Sequence, residues 1–312
     1  MKPFYLFLAM AVSAVASCGN KKATDVSGTV SDSLTVTDSV TVEAAPTALV
    51  TTKSEYKKQD KYCEVSLEVE WPEGNDIVTA TIRKDLLKRI DSYLALEGNT
   101  RCIAAYKKSD AALQEAVTYY GTQTFKLLSE SSAENHEIRI ETAREIAEEQ
   151  GEEPEIPEIA RFSIDLDVDK EYDTERYCVF SIEKYQYSGG AHGMTSCNAG
   201  TTYNKADGKV FDKFLKPSAV KAMQPLIRKG LVEYFSEQDP NVTNATLNDM
   251  LQIEGNTIPL PIDTPYPSEE GLLFCYAHYE IACYAAGRPT FCIPYNKVKP
   301  YLTAEAVALL GL

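Results

Sequence analysis

The hydrophobic period of this chain changes within a few residues, and that change restricts the fold more than any other feature. Cys63, Val65, Leu67, Val69 and Trp71 alternate with polar residues, the period of a strand with one buried face. Residues 72–75 break the alternation, and Ile82, Leu86, Ile90, Tyr93 and Leu94 then recur at helical spacing as far as Gly98. A second helix is expected over residues 109–128, with Leu113, Ala116, Val117 and Tyr120 on its inner face. A third, highly charged segment follows over 133–150, ended by Gly151, Pro154 and Pro157. The strand period then returns: Phe162, Ile164, Leu166 and Val168 alternate, as do Cys178, Phe180 and Ile182 on the way to Tyr187. A further strand is expected over 195–203, and the connections between these three strands are too short for parallel crossovers. Helices are expected over 217–235 and 244–251, strands over 272–277 and 289–293, and a short helix after Thr303. The class is α+β: antiparallel sheets with helices packed on one face, in two intimately associated subdomains.

The N-terminus reads as an address. Residues 1–17 place Lys2, an apolar stretch and then small residues ahead of Cys18, the layout of a cleaved signal peptide. Val15-Ala16-Ser17-Cys18 resembles a bacterial lipobox, in which the cysteine thiol is diacylated and the chain is cut before it. The apolar stretch at 4–15 is shorter than the roughly 20 residues that span a bilayer, so a lipid anchor on Cys18 is expected rather than a transmembrane one. Gly19 stands where an aspartate retains many lipoproteins on the inner membrane, which directs the expectation to the outer membrane. Residues 18–52 hold no aromatic residue and no helical period, the composition of a disordered tether. The folded part is then divided at 53–187 and 188–312.

Charge removes whole classes of partner. Lys and Arg number 31 against 46 Asp and Glu, a net charge of −15, which argues against nucleic acid or an anionic lipid face as a ligand. The same field would steer in a cationic partner; the plainer reading is that it keeps a crowded envelope protein soluble. Apart from Cys18 the cysteines are Cys63, Cys102, Cys178, Cys197, Cys275, Cys283 and Cys292, an odd set with no Cys-x-x-Cys spacing. Cys178 with Cys197, Cys275 with Cys292, and Cys63 with Cys102 are candidate disulfides; buried thiols acting as small hydrophobes are the alternative. No metal or cofactor is expected, since His136, His192 and His278 are the only histidines and form no His-x-x-x-His pair.

The sharpest local signature is Tyr185-x-Tyr187-Ser188-Gly189-Gly190-Ala191-His192-Gly193. Its glycines build a sharply turned loop, and on it His192 is a hydrogen-bonding contact, a ligand or a base. A base at His192 with Cys197 as nucleophile is the enzymatic reading; a histidine that orders its loop is the plainer one. Asp165, Asp167 and Asp169 fall on the solvent face of their strand, and Tyr276, Tyr279, Tyr284 and Tyr295 serve either a core or a recognition surface.

The 187–193 loop, with Asp207-Gly208-Lys209, Glu270-Gly271-Leu272, Tyr279-Glu280-Ile281 and Ile293-Pro294-Tyr295, resembles the C-terminal domain of RsiV-type anti-sigma factors. Residues 56–187 are similar to a domain found beside the catalytic domain of PdaC-type peptidoglycan deacetylases. The resemblance implies an envelope module whose ligand is peptidoglycan or a cationic, lysozyme-like protein, bound through Tyr187, Gly189, Gly190, His192, Gly193, Tyr276 and Tyr279. It carries over neither a sigma-binding segment nor a deacetylase domain. A non-catalytic, lipid-anchored binding protein is therefore expected, with a glycan-processing hydrolase or deacetylase centred on His192 as the alternative.

Overall fold

The structure, a computed structural model, describes residues 48–94, 106 and 112–312. The expected signal peptide, Cys18 and all but the end of the tether lie outside the described residues, as does Cys102. Two strands open the fold as an antiparallel hairpin, β1 (Thr51–Gln59) and β2 (Cys63–Pro72). Asp60 shapes the turn between them by accepting from the Tyr62 and Cys63 amides, each at 2.8 Å. Order thus begins ahead of Tyr56, inside the segment expected to be tether. β1 buries only Ser54, so it is a polar edge strand whose lysines discourage further pairing.

Helix α1 (Ile77–Leu94) follows, with Asp76 accepting from the Thr79 amide (2.9 Å) and hydroxyl (2.6 Å) at its start. The two helical segments expected over 109–128 and 133–150 are one continuous helix, α2 (Leu113–Gln150). Its 38 residues make it about 57 Å long at ~1.5 Å per residue. Leu113 to Leu128 pack on the sheet at helical spacing, whereas beyond Ser132 only Ala147 is buried. Gly151 ends the helix in the left-handed region (φ 70°), its amide reaching back to the Ala147 and Glu148 carbonyls.

Strands β3 (Phe162–Asp173), β4 (Tyr177–Tyr187) and β5 (Met194–Asn204) complete a sheet of order β1-β2-β3-β4-β5. β3, β4 and β5 pair antiparallel as expected, but β3 joins β2 in parallel. Among the described residues α1 and α2 lie between β2 and β3, which is the long crossover a parallel pair requires. The helix-facing residues Val65, Leu67, Ile164, Leu166, Val168 and Ile182 are at most 1% exposed and pack on α1 and α2. Each such side chain contributes roughly 1.5–3 kcal/mol when fully buried.

The remainder builds a second core from α3 (Ala219–Ser236), the short α4 (Leu247–Met250) and a small antiparallel sheet. That sheet runs β6 (Tyr266–Pro267), β7 (Gly271–Cys275) and β8 (Thr290–Pro294), followed by α5 (Tyr295–Val298) and α6 (Ala304–Leu310). Thr303 caps α6 by accepting from the Ala306 amide at 3.1 Å. β4 serves both cores: Cys178, Phe180 and Ile182 face the first, Tyr177 and Val179 the second. Its alternation therefore binds the two halves into one body.

The ladder removes the expected disulfides. Cys178 stands opposite Tyr203 and Cys197 opposite Glu183, so the two cysteines are separated by roughly 17 Å along β4 at ~3.4 Å per residue. Cys275 pairs with Thr290 and Cys292 with Leu273, two rungs out of register. Neither pair meets the ~7 Å limit between Cα atoms, and all six described cysteines are free thiols.

Candidate functional site

The glycine-rich loop joins β4 to β5 and is held by two contacts from within. Gly189 has a φ of +83°, which a side chain rarely adopts, and a Cβ on Gly193 would run into the Tyr185 ring. His192 is exposed, and its Nδ1 donates to the Gly193 carbonyl at 2.9 Å, so the proton sits on Nδ1 in the neutral ring. Its ring stacks on Tyr284, 4.6 Å between centroids, and the Tyr284 hydroxyl donates to the same carbonyl at 3.0 Å. His278 stacks on Tyr284 as well, again at 4.6 Å, and the Tyr279 ring lies 5.6 Å away. Tyr284 is thus the residue that ties the loop to the second half of the chain.

Below the loop a cavity of about 660 Å³ opens along the free edge of β5. Its wall draws on Tyr93 from the end of α1, Lys184 from β4, Cys197 from β5, Cys275 from β7, and Asp263 and Arg288 from connecting segments. Burial pushes the Cys197 thiol up to about 12, an effect the Arg288 guanidinium opposes without reversing, and burial raises Cys275 too. Both are neutral thiols at neutral pH, the wrong state for a nucleophile. Burial also raises Asp263, against a stabilising bond with Asn198, and lowers His278, with the Arg288 charge acting in the same sense. Arg288 pairs through Nη2 with Glu183 Oε2 at 2.9 Å, while among the described residues its Nη1 is buried without a partner, as is His278 Nδ1.

The other face of the five-stranded sheet carries charge. Glu55 stands opposite Glu68, Glu68 opposite Asp167, and Asp167 opposite Glu183, so four carboxylates cross four strands in one row. Like charges in this arrangement repel. Lys57 bonds Glu68 at 2.5 Å and Glu55 at 3.3 Å, and Arg288 takes Glu183, but Asp167 has no basic partner among the described residues. Its carboxyl is raised by burial first and then by Glu68, Asp169, Asp165 and Glu183; that of Asp165 is raised by burial and by Glu64. Among the described residues no group of three His, Cys, Asp or Glu side chains is placed to hold a metal ion.

The structure brings some of the residues singled out from sequence together and separates others. Gly193, His192 and Tyr279 gather around Tyr284. Tyr187 is half-buried opposite Ser163, and Gly190 is exposed at the loop tip. Tyr276 is fully buried with its hydroxyl donating to the Pro259 carbonyl at 2.7 Å, so it packs the wall from inside rather than offering a binding surface. Sequence reasoning missed Arg288, Asp263 and Lys184. Lys184 had a signal: it occupies the next buried-phase position after Cys178, Phe180 and Ile182, and it is only 5% exposed.

Comparison with known proteins divides the chain in two. Residues 56–195 match the family model described as Deacetylase PdaC, and residues 212–296 match the one described as Protein of unknown function (DUF3298). The glycine-rich loop thus falls inside the first match. No curated protein matches the chain. Among solved structures it is similar to a DUF3298 family member from Bacteroides fragilis NCTC 9343, at 14% identity and a TM-score of 0.57, over 85% of this chain and 98% of that one. It is also similar to a DUF3298 family protein from Pseudomonas aeruginosa PAO1, at 13% identity and a TM-score of 0.53, over 84% and 98%. Likeness at these identities shows a shared fold. The two family matches together point to a cell-envelope protein of unknown function.

Proposed function

We propose that this chain is a non-catalytic binding protein of the cell envelope, anchored through lipid on Cys18 in the outer membrane, that presents the open face of its five-stranded sheet to a cationic, lysozyme-like protein. The row Glu55, Glu68, Asp167 and Glu183 carries the proposal. Repulsion along that row works against folding, and a basic partner relieves it on docking. The RsiV-like segments and the net charge of −15 support the same class of partner. The enzymatic alternative has less behind it, because His192 is committed to Gly193 and Tyr284 and Cys197 is held protonated. Peptidoglycan fragments form the second ligand class, favoured by the cavity beside β5.

The test is association of the full chain with lysozyme as a function of salt. Contacts between exposed charges are screened beyond ~8 Å at physiological ionic strength, so affinity is expected to fall steeply as salt rises. No association at low salt removes this reading. On the enzymatic reading His192→Ala abolishes muropeptide turnover, since a general base supplies typically ~10²–10⁴-fold; reproducible cleavage or deacetylation lost in that variant would overturn the binding assignment.

A further inference from the structure

The cavity beside β5 has a chemistry that the acidic surface does not share. We infer that it binds a sugar acid, with the ligand carboxylate at Arg288 and the sugar ring against Tyr279. This deepens the peptidoglycan reading and rests on it; the cavity shares only Glu183, the partner of Arg288, with the charged row.

Size is the first observation. About 660 Å³ lies within the range of ~300–1,000 Å³ typical of small-molecule sites. Sign is the second. In a chain with 46 acidic and 31 basic side chains, the cavity wall holds two cationic residues, Lys184 and Arg288, against one carboxylic acid, Asp263. Glu183 engages Arg288 through Nη2 and Cys197 lies beside the same guanidinium, which fixes it, while among the described residues Nη1 is buried with no hydrogen-bond partner. A buried N–H without a partner is costly, and a carboxylate oxygen in the cavity supplies the charge-assisted bond it lacks.

The third observation is backbone strain at the cavity wall. Tyr279 is the one described residue other than glycine with a positive φ, +65°, a region bulky side chains avoid. Glu280 enforces it: one carboxylate oxygen accepts from the Ala277 amide at 2.8 Å and the other from the Ile262 amide at 2.6 Å. The turn so fixed leaves Tyr279 55% exposed while it still borders the cavity. Strain held in this way clusters where a side chain must be presented to a ligand. An aromatic face with hydroxyls from Ser92, Thr195 and Ser196 around the same space suits a hydroxylated ring.

Two sugars that differ by one lactyl ether separate the outcomes. N-acetylmuramic acid carries the carboxylate, and N-acetylglucosamine lacks it. Calorimetric titration of the full chain is expected to show N-acetylmuramic acid binding at least about tenfold more tightly, the scale of one charge-assisted hydrogen bond. Arg288→Gln is expected to erase that preference, and Tyr279→Ala, at an exposed ring, to weaken both sugars while leaving the unfolding midpoint unchanged. If Arg288→Gln fails to fold, Arg288→Lys tests the same contact, keeping the charge but losing the fork. Equal binding of the two sugars overturns the carboxylate assignment and leaves a neutral glycan in its place. No binding of either sugar in the millimolar range overturns this inference and the peptidoglycan reading together, while salt-dependent association with lysozyme stands or falls separately.

Discussion

The two faces of the five-stranded sheet are made from alternate residues of the same strands, yet they follow opposite rules. On the helix side Leu67, Leu166 and Ile182 fill neighbouring positions and are at most 1% exposed. One residue further along each strand, Glu68, Asp167 and Glu183 place like charges opposite one another. The first face removes apolar surface from water and holds the fold; on the second, the charged row opposes folding and is tolerated because the first is strong enough, while Tyr177 and Val179 at the far end of β4 join the second core. Stability and recognition are thus separated by a shift of one residue in register.

The largest expected effect tests that separation directly. Leu166→Ala is expected to cost about 2–5 kcal/mol in urea unfolding, because it opens a cavity between the sheet and its helices. Asp167→Asn, one residue away, is expected to cost nothing and to stabilise slightly, since it removes repulsion from four neighbouring carboxylates. A loss at Asp167 comparable to that at Leu166 would break the comparison. Next in size, Asp76→Ala is expected to cost ~1 kcal/mol by removing the cap of α1, the helix that covers the apolar face.

The smallest effect lies in pH. Asp165 and Asp167 have folded-state pKa values raised above the ordinary 3.8, so the stability they contribute is fully present below that value and is lost as pH rises through their raised values. The double variant Asp165→Asn with Asp167→Asn is therefore expected to be more stable than the parent near neutrality, and its advantage to shrink as pH falls toward 4. Thermal melts followed by circular dichroism across that window measure it, and an advantage that grows on acidification has the wrong sign.

Alternation made β2, β3 and β4 legible, because their buried residues are almost all Val, Leu, Ile, Phe and Cys at period two. β1 was not, since a polar edge strand with one buried residue carries no such signal. The parallel pairing of β2 with β3 depends on where α1 and α2 pack, which no local pattern encodes. Continuity of α2 was hidden because its distal half buries almost nothing, so its residues follow solvent rather than a core. The loop at 187–193 was visible through its glycines, but the cavity below it is not a local object. It is assembled from Tyr93, Lys184, Cys197, Asp263, Cys275 and Arg288, which only the tertiary fold brings together.

Recognition by the charged face is open to one direct binding measurement. The variant Glu68→Gln with Asp167→Asn keeps side-chain shape, removes two of the four carboxylates in the row and leaves the Arg288–Glu183 pair intact. Measured against lysozyme at low salt, it is expected to bind at least about tenfold more weakly than the parent chain, a loss of ~1.4 kcal/mol, with an unfolding midpoint no lower. Equal affinity of variant and parent would contradict the assignment of the open face as the docking surface.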